Sequence, residues 1–358
     1  MESIDISLPN KSANKTRELG IEILRIIAMF LIVCQHFMNQ GGFLKNAGET
    51  PFFLYLLNVV FSPSVNVFVL ITGYFSVNSR KFRVSKCLTL WCQVLFYSLL
   101  MLFVTAAFGT SVSDITVYRS FSPVINKQYW FFSAYLLLVL LTPYLSAMVN
   151  SISKREHLAL VIGTFVAGYL STRFDIKSVF SFNYGYSILW FCLLFIIGAY
   201  LRKYPVKVNK YIISSVYLVC IATLLLFKYK FNDTSNLIYK LIYNSTDYNQ
   251  PLVLMAAICL FLLFLGIKNK ENRWNKIITH VSSCTFGVYL FHETPVFRQT
   301  LYNVIFKTSE YFGSSIAVLY VLLFATLTFA VGCVVDTVRQ ILFSLVKKGI
   351  KAIRSKNQ

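Results

Sequence analysis

The sequence predicts an all-α, polytopic membrane protein with about ten transmembrane helices and both termini cytoplasmic. Three observations carry this: the composition, a series of apolar runs, and the uneven placement of the cations. Of 358 residues, 56% are apolar and only 13% charged, with a mean hydropathy of +0.62. A soluble domain carries about a quarter charged residues, so this chain lacks the means to cover a water-facing surface. Ten helices of about 20 residues would occupy about 200 residues, close to the apolar share. A soluble core, a nucleic-acid-binding fold and a disordered chain are excluded. Helices are the only spanning element that fits, because lipid offers backbone amides no partner and the runs lack the alternation of barrel strands.

The chain opens with a polar tail, residues 1–18, expected to be cytoplasmic. Apolar runs then place spans near 19–38, 53–75, 87–108, 128–149, 157–171, 182–201, 211–227, 251–267, 278–292 and 313–334. The first run lacks a small-residue cleavage site and reads as a retained span rather than a signal peptide. Together these spans define one membrane domain over 19–335. Residues 336–358 form a basic tail in which apolar and basic residues alternate at helical spacing, which predicts an amphipathic helix on the inner leaflet. No repeat, low-complexity tract or soluble domain interrupts the series.

Of the 34 Lys and Arg residues, 23 fall on the side of the N-terminus, 10 on the opposite side, and Arg25 inside the first span. Cations gather on the cytoplasmic side of membrane proteins, which places both termini there. The net charge of +20 is therefore chiefly a topology signal, with anionic lipid head groups as its partner rather than nucleic acid. The eight cysteines lie in or beside apolar stretches with no CxxC pair, so they read as membrane-buried thiols.

Two groups of ionisable residues stand out. In span one, eleven steps lead from Arg25 to His36, three helical turns plus 20°, so both side chains share one face about 16 Å apart. Glu22, three residues before Arg25, can pair with it. An intramembrane arginine costs several kcal/mol unless it meets a partner or a wet cavity, so the sequence draws a polar track down one helix face. The bland alternative makes Glu22 and Arg25 interfacial snorkelling residues and His36 an end cap. Neutral imidazole suits proton removal from a hydroxyl near neutral pH. Cys34 lies 200° round the helix and faces elsewhere. The second group, Arg80, Lys81, Arg83 and Lys86, is either a topology signal or a phosphate clamp. His157 reads as solvated, and His292, ending span nine, can line an acceptor site. No HExxH, acidic pair or Cys/His grouping indicates a metal, and no GxxxxGK[ST] indicates nucleotide hydrolysis. A transporter or flippase for a sugar-type solute would also need a polar track, although the chain shows no inverted pair of halves with broken helices.

These residues resemble the bacterial acyltransferase 3 family of integral membrane acyltransferases over nearly the whole chain. Arg25 and His36 in span one are similar to the family's opening signature. Thr72, Gly73 and Tyr74 resemble its Ser-Gly-Tyr closing of span two, with Thr in place of Ser, and Glu22 stands where Asp is usual. Trp130 to Pro143, Trp190 to Tyr200, and Thr285 to His292 resemble the later elements. The resemblance implies transfer of an acyl group, most often acetyl, from cytoplasmic acetyl-CoA or another acyl-CoA to a hydroxyl of a surface polysaccharide or its lipid-linked precursor, in the bacterial plasma membrane. His36 would then be the base and Arg25, braced by Glu22, would steady the thioester, the oxyanion or the CoA arm. Arg80, Lys81 and Arg83 would hold CoA phosphates, and Trp130, Trp190 and His292 would meet the acceptor. Too little chain follows Asp336 for the esterase-like domain some relatives carry, so direct transfer or hand-over to a separate protein is expected. The resemblance leaves monomer or homo-oligomer unassigned.

Overall fold

The computed structural model describes residues 18–46, 52–82, 84–124, 129–174, 181–230, 246–267 and 273–356. Among them every regular element is a helix. The main helices are α1 (Leu19–Asn39), α2 (Phe52–Phe61), α3 (Ser64–Ser76), α4 (Val84–Ala107), α5 (Asp114–Phe121), α6 (Trp130–Ser151) and α7 (Lys154–Arg173). They continue as α8 (Ile188–Lys203), α9 (Lys210–Lys230), α10 (Pro251–Leu265), α11 (Trp274–Glu293), α12 (Pro295–Gln299) and α13 (Ala317–Lys356). Helices occupy each of the ten predicted segments. Among the described residues six stretches are long and apolar enough to cross a membrane: Leu19–Asn39, Phe52–Ser76, Val84–Ala107, Trp130–Ser151, Lys210–Phe227 and Ala317–Ile350.

Local chemistry sets several boundaries. The second segment breaks into α2 and α3 at Ser62 and Pro63, because proline has no amide hydrogen to continue the ladder. α7 begins with a capping box: the Ser153 hydroxyl accepts from the Glu156 amide, and the Glu156 carboxylate accepts from the Ser153 amide at 2.7 Å. Those bonds hold the exposed Glu156 carboxyl below its ordinary range. The C-terminal segment departs from expectation: residues 340–354 continue α13 without a break instead of forming a separate surface helix. At 1.5 Å per residue this 40-residue helix is about 60 Å long, roughly twice the hydrocarbon thickness.

α1 is the central strut. Its first half (Ile21, Leu24, Ala28) joins a core built with α3, α6, α8 and α10, and its second half (Met29, Val33, Phe37) joins a core built with α4, α11 and α13. Lipid gives no hydrophobic drive between helices, so close approach depends on small residues. A Cβ on Gly198 of α8 would stand 2.3 Å from the Leu70 carbonyl oxygen, and one on Gly73 of α3 would stand 2.2 Å from that of Phe195. α3 and α8 therefore pack backbone against backbone.

The bundle has two distinguishable ends. At the proximal end, Arg202 at the close of α8 reaches both Glu18, at 3.7 Å, and the Tyr74 hydroxyl, at 3.0 Å. Asn150 donates to the Val77 carbonyl there at 2.7 Å. At the distal end, where α1 and α11 finish, the Tyr129 and Thr294 hydroxyls share a hydrogen bond at 2.7 Å. His157 departs from its expected solvated setting: its ring is buried between Tyr200 and Tyr204, with Nε2 3.0 Å from the Ile196 carbonyl.

Candidate active site

Arg25 and His36 line one cavity, as their spacing along α1 requires, with Met29 and Ile32 between them on the same face. This cavity, of about 320 Å³, is polar near the proximal end, where Arg25, Gln93, Ser283 and Arg339 meet. It becomes apolar along Ile32, Phe68, Ile71, Leu90 and Phe286, and then reaches His36. Glu22 is buried and accepts from Arg25 at 3.0 Å and from the Ser282 hydroxyl at 2.5 Å, so the guanidinium is steered by α1 and α11 together.

A second, distal cavity of about 520 Å³ lies beyond His36, lined by Gln35, Asn39, Gln40, Asn58, Asp247, Glu293 and Arg298 with Tyr186. His36, Trp130 and Tyr248 line both cavities and form the partition between them. Trp130 lies nearly parallel to Tyr248, with ring centroids 5.9 Å apart, and touches Tyr186 at 4.5 Å. Tyr248 is set by Asn66, whose amide donates to its carbonyl at 2.7 Å, and by Arg173, which pairs with Asp247 at 3.1 Å.

The state of His36 follows from its neighbours. His292 Nδ1 is 2.6 Å from the Val288 carbonyl, which can only accept, so Nδ1 carries the hydrogen. The neutral ring then leaves Nε2 as an acceptor, and His36 Nδ1, 2.8 Å away, must be the donor. His36 is left with a free lone pair on Nε2, the form a general base needs. Glu293 Oε1, 3.4 Å from His36 Nδ1, offers a second, longer contact. His36, His292 and Glu293 are also a trio of ligand type, with donor atoms within 4.8 Å. Two nitrogens on a tetrahedral zinc would stand about 3.3 Å apart, so the 2.8 Å spacing is that of a hydrogen bond.

The other predicted residues are distributed unevenly. Trp130 sits in the partition, but Trp190 is fully buried in the core and donates to Asn66 at 3.0 Å without lining either cavity. His292 is fully buried behind His36 rather than on the cavity wall. Arg80 and Lys81 are exposed on the α3–α4 connection and line neither cavity, and Arg83 lies outside the described residues. Cys34 is buried in the core, away from the track.

Sequence reasoning missed Arg339, which it counted only as a C-terminal cation. Arg339 is gripped by Asp336, Nε to Oδ1 at 2.7 Å and a second bond at 3.1 Å, and Asp336 also accepts from Tyr97 at 2.9 Å. The signal was available: Asp336, Arg339 and Gln340 interrupt an apolar helix at one-turn spacing.

The chain matches the sequence profile of the acyltransferase domain of the acyltransferase 3 family over residues 18–336. It belongs to that family. No curated protein and no solved structure gives a match. This acyltransferase 3 protein is thus a multi-pass membrane acyltransferase, and its family match takes in every residue lining the two cavities except Arg339.

Proposed function

We propose that the protein transfers an acyl group, acetyl in the first instance, from cytoplasmic acyl-CoA to a hydroxyl of a cell-surface glycan or its lipid-linked precursor. The observation that carries this reading is His36 standing in the partition between two cavities that open toward opposite ends of the bundle. Ten spans with both termini in the cytoplasm would put the proximal, arginine-bearing cavity on the CoA side. That cavity has charge at its mouth and an apolar throat, which suits a phosphate-bearing thioester with a flexible arm. The distal cavity pairs aromatic faces with amides and carboxylates, a lining suited to a sugar.

In this reading the acceptor hydroxyl donates its proton to His36 Nε2 as its oxygen attacks the thioester carbon. The C–O bond forms, the C–S bond breaks, and His36 returns the proton to the departing thiolate. Arg25, about 16 Å from His36 along α1, is too remote to touch the oxyanion and instead holds the arm or its phosphates together with Arg339. Arg80, Lys81 and Arg83 would act only outside the cavity, as an electrostatic collar for the nucleotide end.

The test is release of free thiol from acetyl-CoA by purified protein, with and without glycan acceptor, alongside the acetyl content of host glycans. His36→Ala should lower the transfer rate about a thousandfold, within the range of general-base contributions. Full glycan acetylation by that variant would overturn the assignment, and a transporter would release no thiol.

A further inference from the structure

A third cavity, of about 500 Å³, lies beside the distal one, between α4, α5 and α12. Its lining includes Thr105, Thr110, Ser113, Thr116, Arg119 and Arg298, and no carboxylate. Arg298 also lines the cavity that holds His36, so one side chain borders both. Among the described residues neither Arg119 nor Arg298 has an ion-pair partner within 4.0 Å, unlike Arg25, Arg173, Arg202 and Arg339. The hydroxyls are arranged in pairs, Thr110 with Thr300 at 3.2 Å and Ser113 with Thr116 at 2.9 Å. A pair shares one hydrogen and keeps a second to donate elsewhere. The cavity therefore offers hydroxyl donors from these pairs, Thr105 being spent on the Val296 carbonyl at 3.4 Å, and carries two guanidinium groups with no carboxylate in its lining; Glu293, whose charge Arg298 feels, belongs to the distal cavity.

Its depth is also informative. α5, which supplies Ser113, Thr116 and Arg119 at or beside its first turns, exposes Ile115, Tyr118 and Phe121 on its outer side. Aromatic and apolar side chains beside arginine mark a helix lying at the membrane–water boundary. Lipid phosphates occupy that same level.

We propose that this cavity binds an oxyanion, a phosphate or carboxylate, with Arg119 and Arg298 as its forked donors and the paired hydroxyls completing the shell. On the reading given under Proposed function, the anion belongs to the acceptor: the sugar to be acylated carries a phosphate or an acid group, and Arg298 ties that group to the cavity where the hydroxyl meets His36. A phospholipid head group is the other source of the same chemistry.

The test is binding of glucose 1-phosphate and of glucose to the full chain in phosphatidylcholine nanodiscs at low salt, with no turnover required. Glucose 1-phosphate should bind at least about tenfold more tightly than glucose and weaken as salt rises. Arg119→Gln and Arg298→Gln should each lower its affinity about tenfold, the loss of one charge-assisted contact. Repeating the titration in phosphatidylglycerol nanodiscs separates the sources. Competition by the anionic lipid assigns the oxyanion to a head group, and undiminished binding assigns it to the acceptor. Equal affinity for the two sugars, or anion binding indifferent to both substitutions, would overturn the proposal. His36→Ala should keep the anion binding while losing acyl transfer, so failure of this site and failure of the acyltransfer reading give different results.

Discussion

The sharpest consequence of the site concerns His292, which touches neither cavity. Substituting His292→Ala removes the acceptor that holds the hydrogen on His36 Nδ1, while leaving His36 in place. A hydrogen bond of this kind contributes about 1–1.5 kcal/mol net, so its loss shifts the balance between the two His36 tautomers by about five- to tenfold. Glu293 Oε1, at 3.4 Å, can take over part of the role, which keeps the effect near the lower end of that range. The transfer rate constant kcat should therefore fall about fivefold. KM for acetyl-CoA should stay within twofold, because the proximal cavity, the proposed donor site, is untouched. His292→Gln, whose side-chain oxygen can accept, should recover part of the loss. The double substitution His292→Ala with Glu293→Gln should fall further than either alone. Thiol-release kinetics on detergent-purified protein at saturating acceptor would read both constants. A kcat within twofold of the parent, or a loss as deep as that of His36→Ala, would refute the tautomer argument. The first outcome would mean that orientation needs no partner, and the second that His292 itself meets the substrate.

Three further outcomes follow from the packing and caps. Gly198→Ala forces a Cβ against the Leu70 carbonyl and should cost about 1–3 kcal/mol, whereas Gly349→Ala, with open space around it, should be neutral or slightly stabilising; thermal unfolding in detergent compares the two. Asp336→Ala strips Arg339 and Tyr97 of their buried acceptor and should cost about 3–5 kcal/mol, seen as a fall in Tm of about 6–10 °C that Asp336→Asn only partly restores. The Glu156 carboxyl is held below its ordinary value, so its contribution is present above that value and is lost as pH falls through the lowered one. Glu156→Gln should accordingly flatten the acid limb of the unfolding temperature below about pH 4.5 and lower that temperature slightly near neutrality, where the carboxylate's contribution is fully present.

The parts of this architecture that one helix decides by itself were open to inspection in the sequence. Arg25, Met29, Ile32 and His36 recur at helical spacing, and the structure gives all four to one cavity wall. The capping box of α7 and the break at Pro63 are likewise written in adjacent residues. What could not be read depends on which helices become neighbours. His292 meets His36 only because α11 runs beside α1, and nothing in the twenty residues of α11 announces a relay instead of a wall position. Trp190 was expected to meet the acceptor but satisfies its N–H on Asn66, a residue 124 positions away. Arg339 was taken as one more basic residue near the end of the chain, whereas Asp336 and the space left by Gly287 draw it inward.

The partition of His36, Trp130 and Tyr248 bears on the electrical tightness of the bilayer. These three rings are the side chains that the two cavities share in their linings, so they stand where one cavity adjoins the other. On the proposed function those rings would act as a gasket, letting a thioester on one side meet a hydroxyl on the other while denying protons and small ions a route. Shrinking Trp130 to alanine should reveal this as leakage, measurable as faster collapse of a pH gradient in sealed vesicles carrying the protein.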